Sequence, residues 1–366
     1  MIEVDGSYGE GGGQILRTAV SLGGVLGREV RIFNIRAGRS QPGLKPQHLT
    51  GVRAAAEMCN AQLKGSEVGS TELIFKPSKL RTGRFRFDVG TAGSITLVLQ
   101  ILMPLLAYSP GRVEVEIIGG TDVKWSPPID YFIHVALPVL GKLGNTCQLE
   151  VLRRGHYPRG GGQVRVATTP VESFKPITGI DSGAVVRIRG VSHAVGLPRH
   201  VAERQSQAAR KALSGKGLPE PDIVIDHPEA KSNLGAGSGL VLYAGTRGGA
   251  ILGADSLGER GKPAEEVGEE AAGRLVEEIE SGAFLDRHMG DMIIPYLALA
   301  DGNSEVSVSQ ITQHTLTNLK VAEWLAGVRF EVEGELGTKG RLRTEGLGLR
   351  GSSSSSPTGS LVVPRP

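Results

Sequence analysis

Cysteine is nearly absent from this 366-residue chain: Cys59 and Cys147 are the two present. Two cysteines cannot build a disulfide framework, and no C-x-x-C pair with zinc-ligand spacing occurs. Aromatic residues make up 4%, so the interior must be aliphatic and packed with small residues. No run of eighteen apolar residues exists. The longest candidate, Ile95 to Tyr108, has the length of a buried helix and not of a membrane span. The first residues, Met1 to Asp5, lack the basic and apolar regions of a secretory signal. A reduced, cytoplasmic protein with no membrane partner is expected.

Several nucleotide-binding signatures are also missing. There is no G-x-x-x-x-G-K-[ST] phosphate loop, and no G-x-G-x-x-G opens a helix after a strand. The Lys-x-Asp-Gly of lysine nucleotidyl transferases is absent too, because Glu3-Val4-Asp5-Gly6 has no lysine. Glycine, by contrast, is abundant at 53 residues, while apolar residues reach 39%. That combination suits a long chain with many tight turns and either two domains or one domain carrying an insertion. The net charge of +3 hides an asymmetry. Residues 1–180 carry 21 Lys+Arg against 14 Asp+Glu, and residues 181–366 carry 20 against 24. Arg17, Arg36, Arg39, Arg153, Arg154 and Arg159 fall in or beside glycine-rich turns. Arginine there suits bidentate phosphate recognition, and a solvated basic face is the plain alternative.

Hydrophobic periodicity divides the chain into similar blocks. Strands are expected at Ile2–Val4, Glu29–Ile35, Glu72–Lys76 and Arg84–Val89. Helices are expected at Gly9–Gly27 and Pro46–Ala61. A second block runs through helix Gly93–Tyr108, strand Arg112–Ile118, helix Pro128–Leu143 and strands Gln148–Arg153 and Gln163–Thr168. The period is roughly 80 residues. A third block opens on Gln163–Thr168 and resumes with helix Met289–Ala300, strand Glu305–Ser309, helix His314–Leu325 and strand Val328–Val332. The reading is an α/β (α+β) chain of three βαβαββ repeats. The large domain takes residues 1–181 and 281–345. A small α/β domain, 182–280, is inserted in the third repeat, since insertions are tolerated where chain ends lie close. That insert should hold strand Ala184–Arg189, helix Arg199–Leu213, strand Asp222–Asp226, a hairpin near Gly235–Ala254 and helix Ala264–Ser281. The tail 346–366 is Gly/Ser-rich without a burying pattern and is expected to be disordered.

Five stretches carry the chemistry. GSYGEGGGQILR (6–17) is a strand-to-helix turn whose backbone N–H groups can approach an anion, with Glu10 and Arg17 available for a metal ion and a phosphate. A tight turn needing positive φ is the alternative. IRAGRSQPGLKPQHL (35–49) gathers Arg36, Arg39, Lys45, Gln47 and His48 in one loop. FDVGTAGSITLVLQ (87–100) is again strand, turn and helix, and Gln100 sits in an otherwise apolar helix where it must find a partner. FLDRHMGDM (284–292) places His288 and Asp291 three apart, with Asp286 as a candidate helix cap. LGAGSG (234–239) is explained by a hairpin turn.

The fifth stretch is SQITQHTLTN (309–318). His314 follows a strand and opens a helix, with Thr315, Thr317 and Asn318 as capping and phosphate-bonding groups. A helix N-terminus attracts anions and disfavours imidazolium, so a neutral imidazole could attack phosphorus there. No carboxylate within the stretch orients the ring.

Taken in order, DGSYGEGGGQILR, IRAGRSQPGLKPQHL, GTAGSITLVLQ, GGTD before PP, GHYPRGGG, GLPRHVAER and QHTLTN resemble the RNA 3′-terminal phosphate cyclases, in an archaeal-type version, from Met1 to about Leu336. The resemblance implies that His314 attacks the α-phosphate of ATP, giving histidine–AMP. AMP then passes to an RNA 3′-phosphate, and the 2′-hydroxyl closes a 2′,3′-cyclic phosphate. It implies a divalent ion, Mg²⁺ or Mn²⁺, with Glu10 at a metal position. It places Gln100 and the segment His288-Met289-Gly290-Asp291-Met292 at the nucleotide, with Met292 standing where the family pattern has glutamine. Arg17, Arg36, Arg39 and Gln47 fall at phosphate or RNA-end positions. The partners are ATP and RNA with a 3′-phosphate end, with a homodimer as a further expectation. Two other readings are a non-catalytic cyclase-like protein of ribosome biogenesis, which lacks the histidine, and an enolpyruvyl-transferase-like enzyme.

Overall fold

The computed structural model describes residues 1–228 and 235–351. It is a mixed α/β structure with four four-stranded sheets among the described residues. The first sheet comprises β1 (Ile2–Asp5), β2 (Val30–Phe33), β3 (Gln62–Lys64) and β4 (Leu73–Lys76), with α1 (Gly13–Leu26) and α2 (Pro46–Met58) between them. The second comprises β5 (Gly83–Asp88), β6 (Val113–Gly119), β7 (Cys147–Arg153) and β8 (Gly162–Thr168). Its helices are α3 (Ile95–Ala107), α4 (Ile129–Tyr131) and α5 (Leu137–Lys142), the last two joined by a wide π turn at Phe132–Ala136.

After β9 (Thr178–Gly179) the chain forms β10 (Val185–Val195), α6 (His200–Leu213), β11 (Asp222–Asp226), β12 (Gly237–Thr246), β13 (Ile251–Leu257) and α7 (Ala264–Glu280). It continues through α8 (Arg287–Met292), α9 (Ile294–Leu299), β14 (Asn303–Val308), α10 (Gln313–Ala326), β15 (Phe330–Glu333) and β16 (Gly340–Glu345). Strands β10–β13 form a sheet of order β11-β10-β12-β13, covered by α6 and α7. The remaining sheet joins β9 to strands more than a hundred residues later, in the order β15-β16-β14-β9.

Three sheets share one wiring. In β1-β2-β4-β3 and β5-β6-β8-β7 the first pair is parallel and the other two pairs are antiparallel, and β9-β14-β16-β15 repeats that pattern. Their helices bury a common, largely aliphatic core built from residues such as Leu16, Val52, Leu102, Leu297 and Leu325. A separate cluster, including Ile188, Leu213, Leu242, Val267 and Leu275, fills the space between the β10–β13 sheet and its two helices. Each helix buries one face because its apolar residues recur at helical spacing.

Several expectations need correction. The third sheet opens on β9, whereas Gln163–Thr168 belongs to β8 and pairs with β6 and β7. The long helix expected at Met289–Ala300 is broken into α8 and α9, and Pro295, at the start of α9, has no N–H to continue the ladder. Gly237–Gly239 starts strand β12, and the hairpin turn lies at 247–250 instead. Strands β3 and β16 were not expected: β3 has three residues, and Leu342 is the one strongly apolar side chain in the six of β16. The tail does not lose structure at Gly346. Leu347 N donates to Ala298 O (2.9 Å), Gly351 N donates to Glu172 O (2.7 Å), and Arg350 pairs with Asp301 at 2.6 Å. The rest of the expected disordered tail, 352–366, lies outside the described residues, as do residues 229–234. No described helix is long and apolar enough to cross a membrane.

Candidate active site

The N-terminus of α1 and the N-terminus of α10 meet at His314. The turn before α1 needs glycine: Gly9 and Gly11 have φ of +59° and +58°, a region costly for other residues. A Cβ on Gly9 would also lie 2.4 Å from the Thr317 hydroxyl, so this turn packs directly on α10. Gly12 caps α1 without a side-chain acceptor, and no acidic residue occupies the first turn. The positive end of that helix dipole is therefore left for an anion.

Glu10, carried by the same turn, reaches His314. Its Oε2 lies 2.8 Å from His314 Nδ1, with the two side chains partly exposed. The acid that orients the ring thus comes from the other end of the chain, some three hundred residues away. Burial lowers the pKa of His314, opposed by the charge of Glu10 and aided by Arg17 and Arg39. The ring is neutral near pH 7. With Nδ1–H donated to the carboxylate, Nε2 keeps its lone pair. Arg39 Nη2 stands 3.7 Å from the same Glu10 oxygen.

The start of α10 is held from below. Thr312 is its cap: its hydroxyl accepts from Thr315 N at 3.0 Å, and Thr315 Oγ1 accepts from Thr312 N at 3.0 Å. Both hydroxyls donate to Asp291 Oδ1, at 2.8 and 2.6 Å. Asn318 Nδ2 donates to Asp291 O (2.9 Å) and Asn318 Oδ1 accepts from Thr18 (2.6 Å). Gln14 Nε2 donates to His314 O at 3.0 Å. The expectation that Thr317 and Asn318 cap the helix or bond phosphate is corrected: Thr317 bonds back to Gln313 O, and Asn318 ties α1 to α8.

Arg17 and Gln100 meet directly, Arg17 Nε donating to Gln100 Oε1 at 3.0 Å. Burial pulls the Arg17 guanidinium down to about 10, with Asp291 opposing that shift. Gln100 has therefore found the partner its apolar helix requires. Gln14, Arg17, Thr18, Gln100, Asp291, Met292 and Asn318 line one narrow cavity with Phe132 and Tyr296. Four expected site residues, Arg17, Gln100, Asp291 and Met292, thus share a single space.

Others point elsewhere. Arg36, at φ 54°, donates to Gln41 O (2.8 Å) and Gly43 O (3.1 Å), and so braces its own loop. Gln47 Oε1 accepts from Ser94 N at 3.1 Å, fixing the turn before α3, which Ser94 caps. Loss of such a cap costs about 1 kcal/mol. Met289 is fully buried, and Gly290 lies close against Val308 in strand β14. His288 sets its ring edge-on to Tyr131, and burial brings it down to about 4. Asp286 does cap α8, accepting from His288 N and Met289 N. Arg154 is buried among carboxylates and does not face phosphate.

Sequence reasoning missed Gln14 and Thr312, and it gathered His48 as a donor of the basic loop without its packing role. Gln14 directly follows the three glycines, and Thr312 with Thr315 has capping-box spacing. His48 needed the fold: its Nε2 lies 2.2 Å from where a Cβ on Gly13 would sit, so the first residue of α1 is glycine to admit the ring.

Burial raises Asp291 to about 7, against the hydrogen bonds from Thr315 and Thr312. A raised carboxyl binds its proton more tightly folded than unfolded, so this contribution to stability is present at low pH and fades as pH rises toward 7. Asp291→Asn keeps an acceptor without the charge. Melting curves from pH 5 to 8 should show the variant gaining on wild type by a few degrees as pH rises. Parallel curves would remove Asp291 as the source.

The chain matches the family model described as RNA 3'-terminal phosphate cyclase over residues 8–332. It belongs to that family. It is 50% identical over 350 residues to the RNA 3'-terminal phosphate cyclase of Ignicoccus hospitalis, covering 95% of this chain and 99% of the relative. It is 52% identical over 361 residues to that of Hyperthermus butylicus, covering 96% of this chain and 100% of the relative. A solved enolpyruvyl transferase, NikO from Streptomyces tendae, aligns over 94% of this chain and 66% of its own at 13% identity and a TM-score of 0.29. A score that low supports no argument about fold or function.

Proposed function

We propose that the protein converts an RNA 3′-terminal phosphate to a 2′,3′-cyclic phosphate at the expense of ATP, through His314. The observation that carries this reading is the 2.8 Å pairing of His314 Nδ1 with Glu10. It leaves Nε2 as a neutral nucleophile between two helix starts suited to anions. Nε2 attacks the α-phosphorus, the bond to the β-phosphate oxygen breaks, and pyrophosphate leaves. An RNA 3′-phosphate oxygen then attacks the same phosphorus and the N–P bond breaks, returning the imidazole. Finally the 2′-hydroxyl attacks the 3′-phosphorus, loses its proton, and AMP departs. A phosphomonoester oxygen is a poor leaving group, which is why adenylylation is needed.

The nucleotide is assigned to the side of the site where Gln14, Arg17, Gln100, Asp291 and Met292 come together. A hard divalent ion is commonly held by one or two carboxylates together with substrate phosphates. Glu10 is the residue here that would hold Mg²⁺ or Mn²⁺, and the ion would neutralise triphosphate charge. The shared wiring of three sheets supports the three-repeat reading, with the β10–β13 sheet as the small inserted domain of residues 182–280.

Folded wild type incubated with ATP labelled at the α-phosphate, without RNA, should hold label through denaturation, and ATP labelled at the γ-phosphate should leave none. Wild type that stays unlabelled by both overturns the mechanism. Arg39, exposed beside Glu10, is assigned to the RNA end. Arg39→Ala should raise KM for a 3′-phosphorylated RNA about tenfold with self-labelling retained. Unchanged turnover at limiting RNA removes that assignment.

A further inference from the structure

Away from His314, two histidines and an aspartate come together in the interior. Asp122 follows β6, His156 lies between β7 and β8, and His193 is on β10. All three are buried, at 3%, 5% and 0% exposure. The two Nε2 atoms are 3.1 Å apart. Asp122 Oδ2 lies 3.8 Å from His156 Nε2 and 4.0 Å from His193 Nε2. The cluster therefore bridges two sheets, β5-β6-β8-β7 and β11-β10-β12-β13.

The fold makes room for these rings. A Cβ on Gly237 would lie 2.1 Å from His156, and one on Gly239 would lie 3.0 Å from His193. These two glycines are neighbours on one face of β12, so the strand is thinned where the imidazoles stand. Among the described residues, His156 Nδ1, His193 Nδ1 and Asp122 Oδ1 have no hydrogen-bond partner. The atoms that converge on one another are the other three, His156 Nε2, His193 Nε2 and Asp122 Oδ2.

Charge points the same way. The Arg154 guanidinium is surrounded by Asp122 (3.3 Å), Asp130 (2.8 Å) and Asp226 (2.7 Å). Asp226 is partly exposed, but the buried pair Asp122 and Asp130 against one guanidinium still leaves a formal charge of minus one in the interior, where uncompensated charge is expensive.

We propose that Asp122, His156 and His193 bind one divalent transition-metal ion of the Zn²⁺ class, which fastens the β10–β13 sheet to the loops following β6 and β7. Ligands about 2.0–2.1 Å from a tetrahedral ion stand roughly 3.3 Å apart. The two nitrogens already meet that spacing, and the aspartate closes by a rotation of its side chain. The donor set of two imidazoles and one carboxylate suits Zn²⁺ better than Mg²⁺. His193 Nδ1 faces Asp130 Oδ2 at 3.9 Å, as a ligating histidine commonly faces an outer carboxylate. This site is separate from the ion assigned to Glu10 and does not depend on the cyclase reading.

The test is Zn²⁺ content and affinity of the full chain. Protein supplemented with ZnCl₂ and desalted should retain about one equivalent. His156→Gln and His193→Gln should lose at least about tenfold in affinity, while Glu10→Ala keeps the metal. Zinc should raise the melting temperature of wild type and leave that of the glutamine variants unmoved. Should those variants fail to fold, Co²⁺ added to wild type decides: intense visible bands of a four-coordinate ion support the site, and the weak spectrum of the hydrated ion overturns it. Wild type that retains no Zn²⁺, or glutamine variants that retain as much as wild type, also overturns it, and leaves a direct hydrogen bond between two neutral imidazoles.

Discussion

His314→Ala is expected to abolish covalent labelling by α-phosphate-labelled ATP, a loss on the order of a thousandfold or more. Alanine removes the atom that bonds to phosphorus, and the partners of His314 among the described residues do not replace it: Glu10 is its hydrogen-bond partner and Gln14 contacts only its backbone oxygen. The wild-type adduct should be labile in acid and stable in alkali, as a phosphoramidate is. The substitution leaves the helix intact, because the cap of α10 is made by Thr312 and Thr315 onto Asp291, not by the imidazole. A second substrate separates lost chemistry from lost folding. An RNA already carrying AMP on its 3′-phosphate needs only the attack of its own 2′-hydroxyl. His314→Ala should still cyclise that RNA. Labelling that survives in the variant would move the nucleophile elsewhere. Failure on the adenylylated RNA, with a normal melting curve, would give His314 a role beyond carrying AMP.

The legible part of this site was local. Strand-turn-helix texture placed the starts of α1, α3 and α10 within a few residues, because glycine turns and helical spacing are short-range signals. The contact between Glu10 and His314 was not legible. It joins residues some three hundred apart and depends on how the first sheet sits beside the β15-β16-β14-β9 sheet. The stretch around His314 contains no acid, and nothing in its own pattern could show that a turn near the N-terminus supplies one. The same reason hid Asp291 under the α10 cap, where a carboxylate three residues from a histidine suggested a metal pair and in fact receives two hydroxyls. Arg36 and Gln47 were misleading in the opposite sense. Their loop was located, but their side chains are occupied by the loop backbone and by Ser94. Composition can gather donors in a loop; it cannot tell which of them the loop itself uses. Strand β3, three residues long, and strand β16, whose one strongly apolar side chain is Leu342, were lost for want of pattern, and their pairing partners define them instead.

Glu10→Gln is expected to slow self-adenylylation near neutral pH by about 10² to 10⁴, the scale set when the carboxylate behind a catalytic imidazole is lost. The carboxylate fixes the tautomer by accepting from Nδ1, and an amide, which can also donate there, does not hold that choice. Its charge has a second effect with a definite sign. Burial lowers the pKa of His314 below the usual value of 6.5, and Glu10 raises it again. Labelling should therefore persist below pH 6.5 in wild type and fall only in more acidic solution, where the imidazole takes a proton and loses its lone pair. Without the negative charge the ring protonates less readily. The acid limb of Glu10→Gln should move to lower pH while the plateau drops. A carboxylate acting solely through a bound ion predicts another pattern: an unmoved acid limb and a rate restored by raising Mg²⁺ or Mn²⁺. A plateau equal to that of wild type would dismiss both roles. The profile thus separates orientation of the ring from metal binding at one carboxylate, and it does so through a quantity that simple loss of folded protein cannot imitate, because unfolding lowers the amplitude of labelling without shifting the pH at which it falls.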